Sequence, residues 1–188
     1  MRSRPYPLKA RRLEQLDELA INIADFIFFA PGQLDAVELR DFCAKHKAVS
    51  CRTFAEDEDK DFKTPVKYEI TDADEVERFA RAQNDKYYVL VNEALPLKDS
   101  VIAGNIYFNS PEDFICEYFR GPGTPRDIDN RKLEHVDAAH FGSVDELRQL
   151  PEAISRFPYR PVIFEFSLYP YPVGKRHNRL IFWEWRKA

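Results

Sequence analysis

The chain of 188 residues is long enough to bury a core without a metal ion or disulfide to hold it together. Charged residues make up 32% of it with both signs interspersed, and the net charge of -4 argues against a nucleic-acid binder that works through a bulk basic surface, while leaving a local basic patch open. Three cysteines without ligand spacing favour reduced thiols in a cytoplasmic protein. The most apolar run, INIADFIFFA, is too short to cross a membrane, so we expect no membrane segment.

The first part of the chain has helical patterns. Apolar residues recur from Leu13 to Ala30 at the spacing of one helical face, and Pro31-Gly32 ends the pattern, which predicts a helix over 13–30. Asp35 with Glu38 resembles a capping box, so a second helix is predicted over about residues 35 to 47. Residues 1–47 are therefore expected to form a helical N-terminal portion.

The rest of the chain is mainly β-rich. AVSCRTF and VKYEI are predicted strands around the polar loop AEDEDKDFKTP, and a capped helix follows over about residues 71 to 83. KYYVLVNEAL, SVIAGNIYF and FICEYF predict a three-stranded meander, a further helix begins at Ser143, and residues 161–186 form a terminal hairpin. Without a βαβ rhythm, the pattern predicts an α+β fold, with the helical portion on a mainly antiparallel sheet over residues 48–188, in one domain over 1–188.

The terminal hairpin, VIFEFSLYPYPVGKRHNRLIFWEWRKA, carries one carboxylate in each aromatic strand. If its turn is a type II′ turn at Gly174-Lys175, Glu165 and Glu184 face each other, with Trp183 and Trp185 on the opposite, core face. Like charges directly opposite are destabilising unless a cation lies between them. The cation is Arg186, another basic side chain, or Mg²⁺; alternatively, both carboxylates point to solvent and pair with separate Lys or Arg side chains.

Four motifs give the chain a resemblance to a known family. VIFEFSLYPYP…LIFWEWR resembles the end of the ATP-grasp nucleotide-binding domain of phosphoenolpyruvate synthase and pyruvate phosphate dikinase. YYVLVNEALPLKDSVIAGNIYFNSPED, SCRTFAED and YFRGPGTPRD resemble that family's strand-turn-strand, Arg-Ser-Ser and glycine-containing segments. The resemblance covers about residues 49 to 186 and implies an ATP-grasp-like fold with Mg²⁺ and ATP as ligands.

The resemblance also implies roles for particular residues. Glu165 corresponds to the family's metal-binding glutamate and Glu184 to its metal-binding glutamine. The implied nucleotide-binding positions are Arg52 and Arg186 near phosphate, Glu93 on a strand that approaches the nucleotide, and Lys63 or Lys67 as a cationic group.

The first functional hypothesis is therefore a divergent ATP-grasp-like protein that binds a nucleotide with Mg²⁺, for phosphoryl transfer or ligation, alone or with a partner chain that completes the site. Whether the chain is an enzyme, and which acceptor it would use, stay open. RGPGTPRD is either an anion-binding loop or an ordinary turn.

The alternative hypothesis is a non-catalytic module that binds a protein or nucleic acid through the terminal hairpin, although the net charge disfavours nucleic acid. The residues concerned are four aromatics and four basic residues of the tip: Tyr169, Tyr171, Trp183, Trp185, Lys175, Arg176, His177 and Arg179.

Overall fold

A computed structural model describes residues 8–55 and 64–188 of the chain. The helices are α1 (Leu8–Glu18), α2 (Ala36–Lys45), α3 (Ala73–Asn84) and α4 (Leu150–Ile154), and the strands are β1 (Phe26–Phe29), β2 (Val49–Phe54), β3 (Val66–Ile70), β4 (Tyr88–Glu93), β5 (Ile102–Ser110), β6 (Asp113–Arg120), β7 (Glu134–Asp137), β8 (Val162–Val173) and β9 (Asn178–Lys187). The predicted α+β class with antiparallel sheet is confirmed. Within the described ranges, no helix combines the length and apolar character needed to cross a membrane.

The chain divides into two compact units, Met1–Arg11 with Ala24–Leu95 and Arg12–Ile23 with Pro96–Ala188. This division does not follow the predicted boundary between residues 47 and 48. That residues 1–188 fold as one domain stays a prediction.

The first unit contains a four-stranded antiparallel sheet in the order β1-β4-β2-β3. Helix α2 begins where the sequence predicts, because the Asp35 carboxylate accepts hydrogen bonds from the backbone N–H groups of Val37 and Glu38 at 2.9 and 3.1 Å. The core of this unit includes apolar side chains of the sheet and of helices α2 and α3: Phe29, Leu39, Phe42, Val49, Cys51, Ile70, Val76, Ala80, Val89 and Val91.

The predicted helix over 13–30 is wrong in its second half. Helix α1 ends at Glu18, Ala20 adopts a left-handed φ of 60°, and residues 26–29 form strand β1 paired with β4. The sequence of β1, FIFF, is aromatic and β-branched, which favours a strand. The helical spacing of the apolar residues continued past the true end of the helix by coincidence.

The second unit contains a five-stranded antiparallel sheet in the order β7-β6-β5-β8-β9. The predicted meander is wrong at its first strand, because β4 pairs with β1 and β2 in the other sheet, and only β5 and β6 are paired as expected. One face of this sheet carries a row of buried apolar residues, one from each strand, that are aligned in the strand register: Val136, Cys116, Ile106, Phe164 and Trp185.

The terminal hairpin is confirmed, but its turn is longer than predicted. Val173 pairs with Asn178, so four residues, Gly174 to His177, connect the strands. The tip is held by a distant segment of the same unit, since the backbone N–H of Lys175 donates to the carbonyl oxygen of Ile23 at 2.8 Å. The turn length is therefore set by contacts that local turn propensity does not report.

Asn22 anchors the hairpin beside its tip. Its buried amide nitrogen donates to the carbonyl oxygens of Val173, Asn178 and Leu180 at 3.1, 3.3 and 2.8 Å, and its amide oxygen accepts from the backbone N–H of Arg176 at 2.8 Å. One buried side chain therefore makes hydrogen-bond contacts to four backbone groups of the hairpin.

A register shift between Glu165 and Phe166 corrects the predicted faces of β9. Glu165 pairs with Glu184 but Phe166 pairs with Phe182, so Trp183 is the extra residue of a β-bulge. Trp185 is buried on the core face as predicted, whereas the indole N–H of Trp183 donates to the hydroxyl of Ser167 at 2.8 Å. Because Ser167 follows Glu165 by two strand positions, Trp183 lies on the glutamate face and the prediction for Trp183 is wrong.

Candidate functional site

A row of five polar residues crosses the second unit's sheet, on the face opposite its buried apolar row. The strand register aligns one residue from each strand, and we call this set the polar row: His135, Glu117, Asn105, Glu165 and Glu184. Neighbouring strands lie about 4.8 Å apart, so the row is about 19 Å long. It follows directly from strand alternation, because each polar residue neighbours in sequence a residue that points into the core.

The two glutamates predicted to face each other are directly opposed in the register, as expected. Each has its own guanidinium partner. Arg186 donates from Nη1 to Oε1 of Glu165 at 2.7 Å, and Arg12 donates from Nη1 to Oε1 of Glu184 at 3.4 Å. These pairs supply the positive charge that the opposed carboxylates require.

The two ion pairs differ in their surroundings. The Arg186 side chain is 45% exposed, whereas those of Arg12 and Glu184 are each 20% exposed. Arg12 also lies over the Trp185 ring at 5.3 Å from its centroid, and the Trp185 indole N–H donates to the Arg12 carbonyl oxygen at 3.2 Å. Arg12 is thus the more firmly held of the two cations.

Sequence reasoning missed Arg12 as a member of this site. It lies in α1, 172 positions before Glu184 in the chain, and no local motif marks it. The sequence did indicate that a cation is needed beside the opposed glutamates, because like negative charges that face each other require it. That requirement does not say which basic residue of the chain is the partner.

The middle and far end of the polar row have a different environment. Oδ1 of Asn105 is buried and has no hydrogen-bond partner among the described residues. At the far end, Nε2 of His135 lies 3.1 Å from Oε1 of Glu117, and both side chains are about half exposed. This half of the row was not singled out from the sequence, because Asn105, Glu117 and His135 lie on three strands whose pairing had to be known first.

The predicted site residues Arg52 and Glu93 belong to the first unit. The Arg52 guanidinium lies 5.6 Å from the centroid of the Tyr68 ring, and Glu93 accepts a long 3.5 Å hydrogen bond from the backbone N–H of Asp25. Asp25 in turn lies 3.2 Å from Nε2 of His46. The predicted cationic residue Lys63 lies outside the described residues, while Lys67 pairs with Glu75 at 2.6 Å.

The glycine-containing loop RGPGTPRD is held by hydrogen bonds within the chain. The carboxylate of Asp127 accepts hydrogen bonds from the backbone N–H and the hydroxyl of Thr124 at 2.7 and 3.2 Å, and the N–H of Gly123 donates to the Ser100 hydroxyl at 3.0 Å. These N–H groups are already engaged within the chain. The contacts favour the reading of this segment as an ordinary turn over that of an anion-binding loop.

The hairpin surface offers less to a partner than the sequence implied. Tyr169 and Trp185 are buried, and Tyr171, which is 41% exposed, donates its hydroxyl to Asp99 at 2.5 Å. At the tip, Lys175 and Arg176 both pair with Asp17, at 2.6 and 2.8 Å. The aromatic and basic residues that the alternative function requires are therefore mostly engaged within the chain.

Comparison with solved structures identifies the kind of fold that carries this site. D-alanine-D-alanine ligase from Coxiella burnetii is similar with a TM-score of 0.56 and 10% sequence identity, covering 94% of this chain and 46% of the ligase. Macrocyclase MdnC from Microcystis aeruginosa MRC, bound with its precursor peptide MdnA, is similar with a TM-score of 0.53 and 13% identity, covering 95% of this chain and 51% of the macrocyclase. Dinucleotide-forming acetyl-coenzyme A synthetase 1 from Ca. Korarchaeum cryptofilum, in complex with coenzyme A and Ca-AMPCP, is similar with a TM-score of 0.55 and 10% identity, covering 95% of this chain and 91% of the synthetase chain.

These structural neighbours are members of the ATP-grasp superfamily, and the fold of this chain is ATP-grasp-like. The chain spans about half the length of the ligase and of the macrocyclase. No protein-family model and no curated protein sequence matches the chain. The likeness therefore lies in the fold, and the chemistry has to be argued from the site.

Proposed function

We propose that this chain binds a nucleotide, ATP together with Mg²⁺, at the Glu184 and Glu165 end of the polar row, and that it serves ATP-dependent ligation or phosphoryl transfer. The observation that carries the proposal is the direct opposition of Glu165 and Glu184 on an ATP-grasp-like sheet. We further propose that the nucleotide site is of the phosphoenolpyruvate synthase and pyruvate phosphate dikinase type, and this part of the proposal rests on the motif resemblance.

The donor set fits a magnesium ion that arrives with a nucleotide. Mg²⁺ is usually held by one or two carboxylates together with phosphate oxygens and water, so Glu165 and Glu184 are sufficient protein ligands. They would hold the ion, whose charge would neutralise the phosphate oxygens. Within the described residues, no group of three or more His, Cys, Asp or Glu side chains is arranged to hold a metal by itself. Metal binding is therefore expected to depend on the nucleotide.

The arginines have a second part in the proposal. Arg186 contacts Glu165 from an exposed position on β9, so it is able to exchange this carboxylate for a phosphate oxygen without repacking the core. Arg52, Glu93 and Lys63 are proposed nucleotide-binding residues on the basis of the motif resemblance alone.

Isothermal titration calorimetry with Mg²⁺-ATP, Mg²⁺-GTP and Mg²⁺-ADP tests the proposal, with the same nucleotides in EDTA to measure the metal requirement. Ligand at about a hundred times its dissociation constant should stabilise the fold by about 2.7 kcal/mol. The double variant Glu165→Gln, Glu184→Gln should lose the magnesium-dependent binding. Glu112→Gln is the matched control, because Glu112 contacts Ser110 at the β5–β6 turn, away from the polar row.

The absence of heat with all three millimolar Mg²⁺-nucleotides would overturn nucleotide binding as an activity of this chain. Nucleotide binding that is equal in the double variant and in the control would overturn the assignment of the two glutamates. A salt-sensitive signal with an oligonucleotide, without a nucleotide signal, would support the alternative of an interaction module.

A further inference from the structure

The two ends of the polar row differ in how their carboxylates are neutralised. Glu184 and Glu165 each pair with an arginine and are 20% and 18% exposed. Glu117 contacts the imidazole of His135 and is 47% exposed. The Glu117 end of the row is therefore the end whose carboxylate is most accessible to a ligand.

Asn105 lies between Glu117 and Glu165 in the register, and its position explains the missing partner of its buried Oδ1. Ionised carboxylates only accept hydrogen bonds, so neither neighbour along the row donates to an amide oxygen. A buried acceptor without a partner costs about 1–3 kcal/mol. A ligand that brings an N–H group to this point would recover that free energy.

An exposed apolar strip runs beside this part of the row. Two strand positions from Glu165, Asn105 and Glu117, on the same face, lie Ile163, Tyr107 and Ile115, which are aligned with one another in the register. Tyr107 is 43% and Ile115 51% exposed.

A cavity of about 300 Å³ at this edge of the sheet is lined by Ile115, His135, Val136, Asp137 and His140. A hydrogen bond from His140 lowers the pKa of Asp137, which keeps that carboxylate ionised. The cavity adds apolar surface beside Ile115, and the acceptor without a donor, Oδ1 of Asn105, lies one strand further along the row from Glu117.

We propose that Asn105 and Glu117 form a subsite for a primary ammonium group carried on an apolar chain. The ammonium has three N–H donors, of which one satisfies Oδ1 of Asn105 and another the Glu117 carboxylate. Its alkyl part covers Tyr107 and Ile115. A bare metal ion fits less well, since the described residues hold no group of three His, Cys, Asp or Glu ligands.

The subsite extends the proposed function by naming a class of acceptor. This subsite lies on the same row as the proposed nucleotide site. The acceptor role rests on the proposed function, whereas the binding of the ammonium group does not.

The test is a titration of the chain with n-butylammonium, followed through the backbone amide signals of positions 105 and 117 in proton–nitrogen correlation spectra, which every variant below retains. Asn105→Leu removes the amide oxygen but keeps a branched side chain with the same number of non-hydrogen atoms, and Glu117→Gln removes the charge. Each should weaken binding about tenfold or more. Asn109→Leu and Glu112→Gln are the matched controls, since both residues lie at the exposed β5–β6 end, off the row, and should bind as the unchanged chain does.

Two related probes test the chemistry on the unchanged chain, so the test does not depend on folding of the variants. Butanol keeps the alkyl chain without the charge, and butyltrimethylammonium keeps the charge without an N–H donor; both should bind at least about tenfold more weakly. Equal binding of butyltrimethylammonium, or full binding by Asn105→Leu and Glu117→Gln, would overturn the subsite. Mg²⁺-ATP binding without n-butylammonium binding overturns only this inference, and the reverse result overturns only the proposed nucleotide function.

Discussion

Replacing Gly104 by alanine tests the packing that holds the polar row in register. Gly104 precedes Asn105 on β5 and pairs with Tyr118 on one side and Phe166 on the other. A Cβ atom added at Gly104 would overlap the carbonyl oxygen of Glu117 and lie 2.8 Å from both Cα and Cβ of Tyr118. Because these contacts include backbone atoms, strands β5 and β6 must move apart to admit the methyl group.

The expected cost comes from overpacking a buried position. Such insertions cost about 1–3 kcal/mol, and a clash with backbone places Gly104→Ala near the upper end, at about 3 kcal/mol. For a chain of this length, that loss should lower the melting temperature by about 6–12 °C. Urea unfolding monitored by tryptophan fluorescence measures the free energy of unfolding, and thermal unfolding measures the temperature shift.

Gly142→Ala is the matched control for this prediction. A Cβ atom at Gly142 would meet nothing within 4 Å, and Gly142 does not have a left-handed φ, so the same substitution should change stability by less than about 0.5 kcal/mol. Equal stability of the two variants would refute the argument that close approach of β5 and β6 requires glycine. If Gly104→Ala lost stability but bound n-butylammonium as the unchanged chain does, the argument that this packing holds the polar row in register would be refuted.

Two further predictions concern other buried groups. Asn22→Ala removes the side chain that satisfies four backbone groups of the hairpin, and it should lower the free energy of unfolding by about 3 kcal/mol or more in urea unfolding; a loss below about 0.5 kcal/mol would contradict the anchoring role. Burial raises the pKa of Cys51 and of Cys116 to about 12, from 9.0, so these thiols stay protonated in the folded state while the unfolded thiols ionise. Their contribution to stability is therefore complete below pH 9 and is lost as the pH rises towards 12, by about 2.7 kcal/mol per pH unit for both thiols together. Urea unfolding across this range measures the slope, and Cys51→Ala with Cys116→Ala should make it shallower by about this amount.

The terminal hairpin shows how much a local pattern predicts. Alternation along two aromatic strands placed Glu165 opposite Glu184, and the structure has this pair. The proposed turn at Gly174-Lys175 was nevertheless wrong, and so was the face of Trp183. The four-residue turn and the bulge shift the register in ways that leave the glutamate pair opposed, so the pair was predicted correctly through an incorrect turn.

The features that the sequence did not reveal depend on residues far apart in the chain. Asn22 and Ile23 determine the tip of a hairpin about 150 positions later, and Arg12 neutralises Glu184 from α1. Strand β4 lies between β1 and β2 rather than beside β5, and this pairing likewise depends on strands that are distant in the sequence. Periodicity gives the type of an element and the faces of its side chains, but partners at long range are chosen by packing of the whole unit.

The two arginines explain how the opposed glutamates are stabilised, which strand alternation alone does not. Opposed carboxylates need positive charge, and the chain supplies it from two unequal sources. Arg186 is exposed and lies on the same strand as Glu184, while Arg12 is held by Trp185 through its ring face and its own carbonyl group. Exchange of a guanidinium for another cation should therefore occur first at Glu165, where the departing Arg186 loses little packing. Arg12 would keep Glu184 neutralised during that exchange, so the site need not expose two unpaired carboxylates at once.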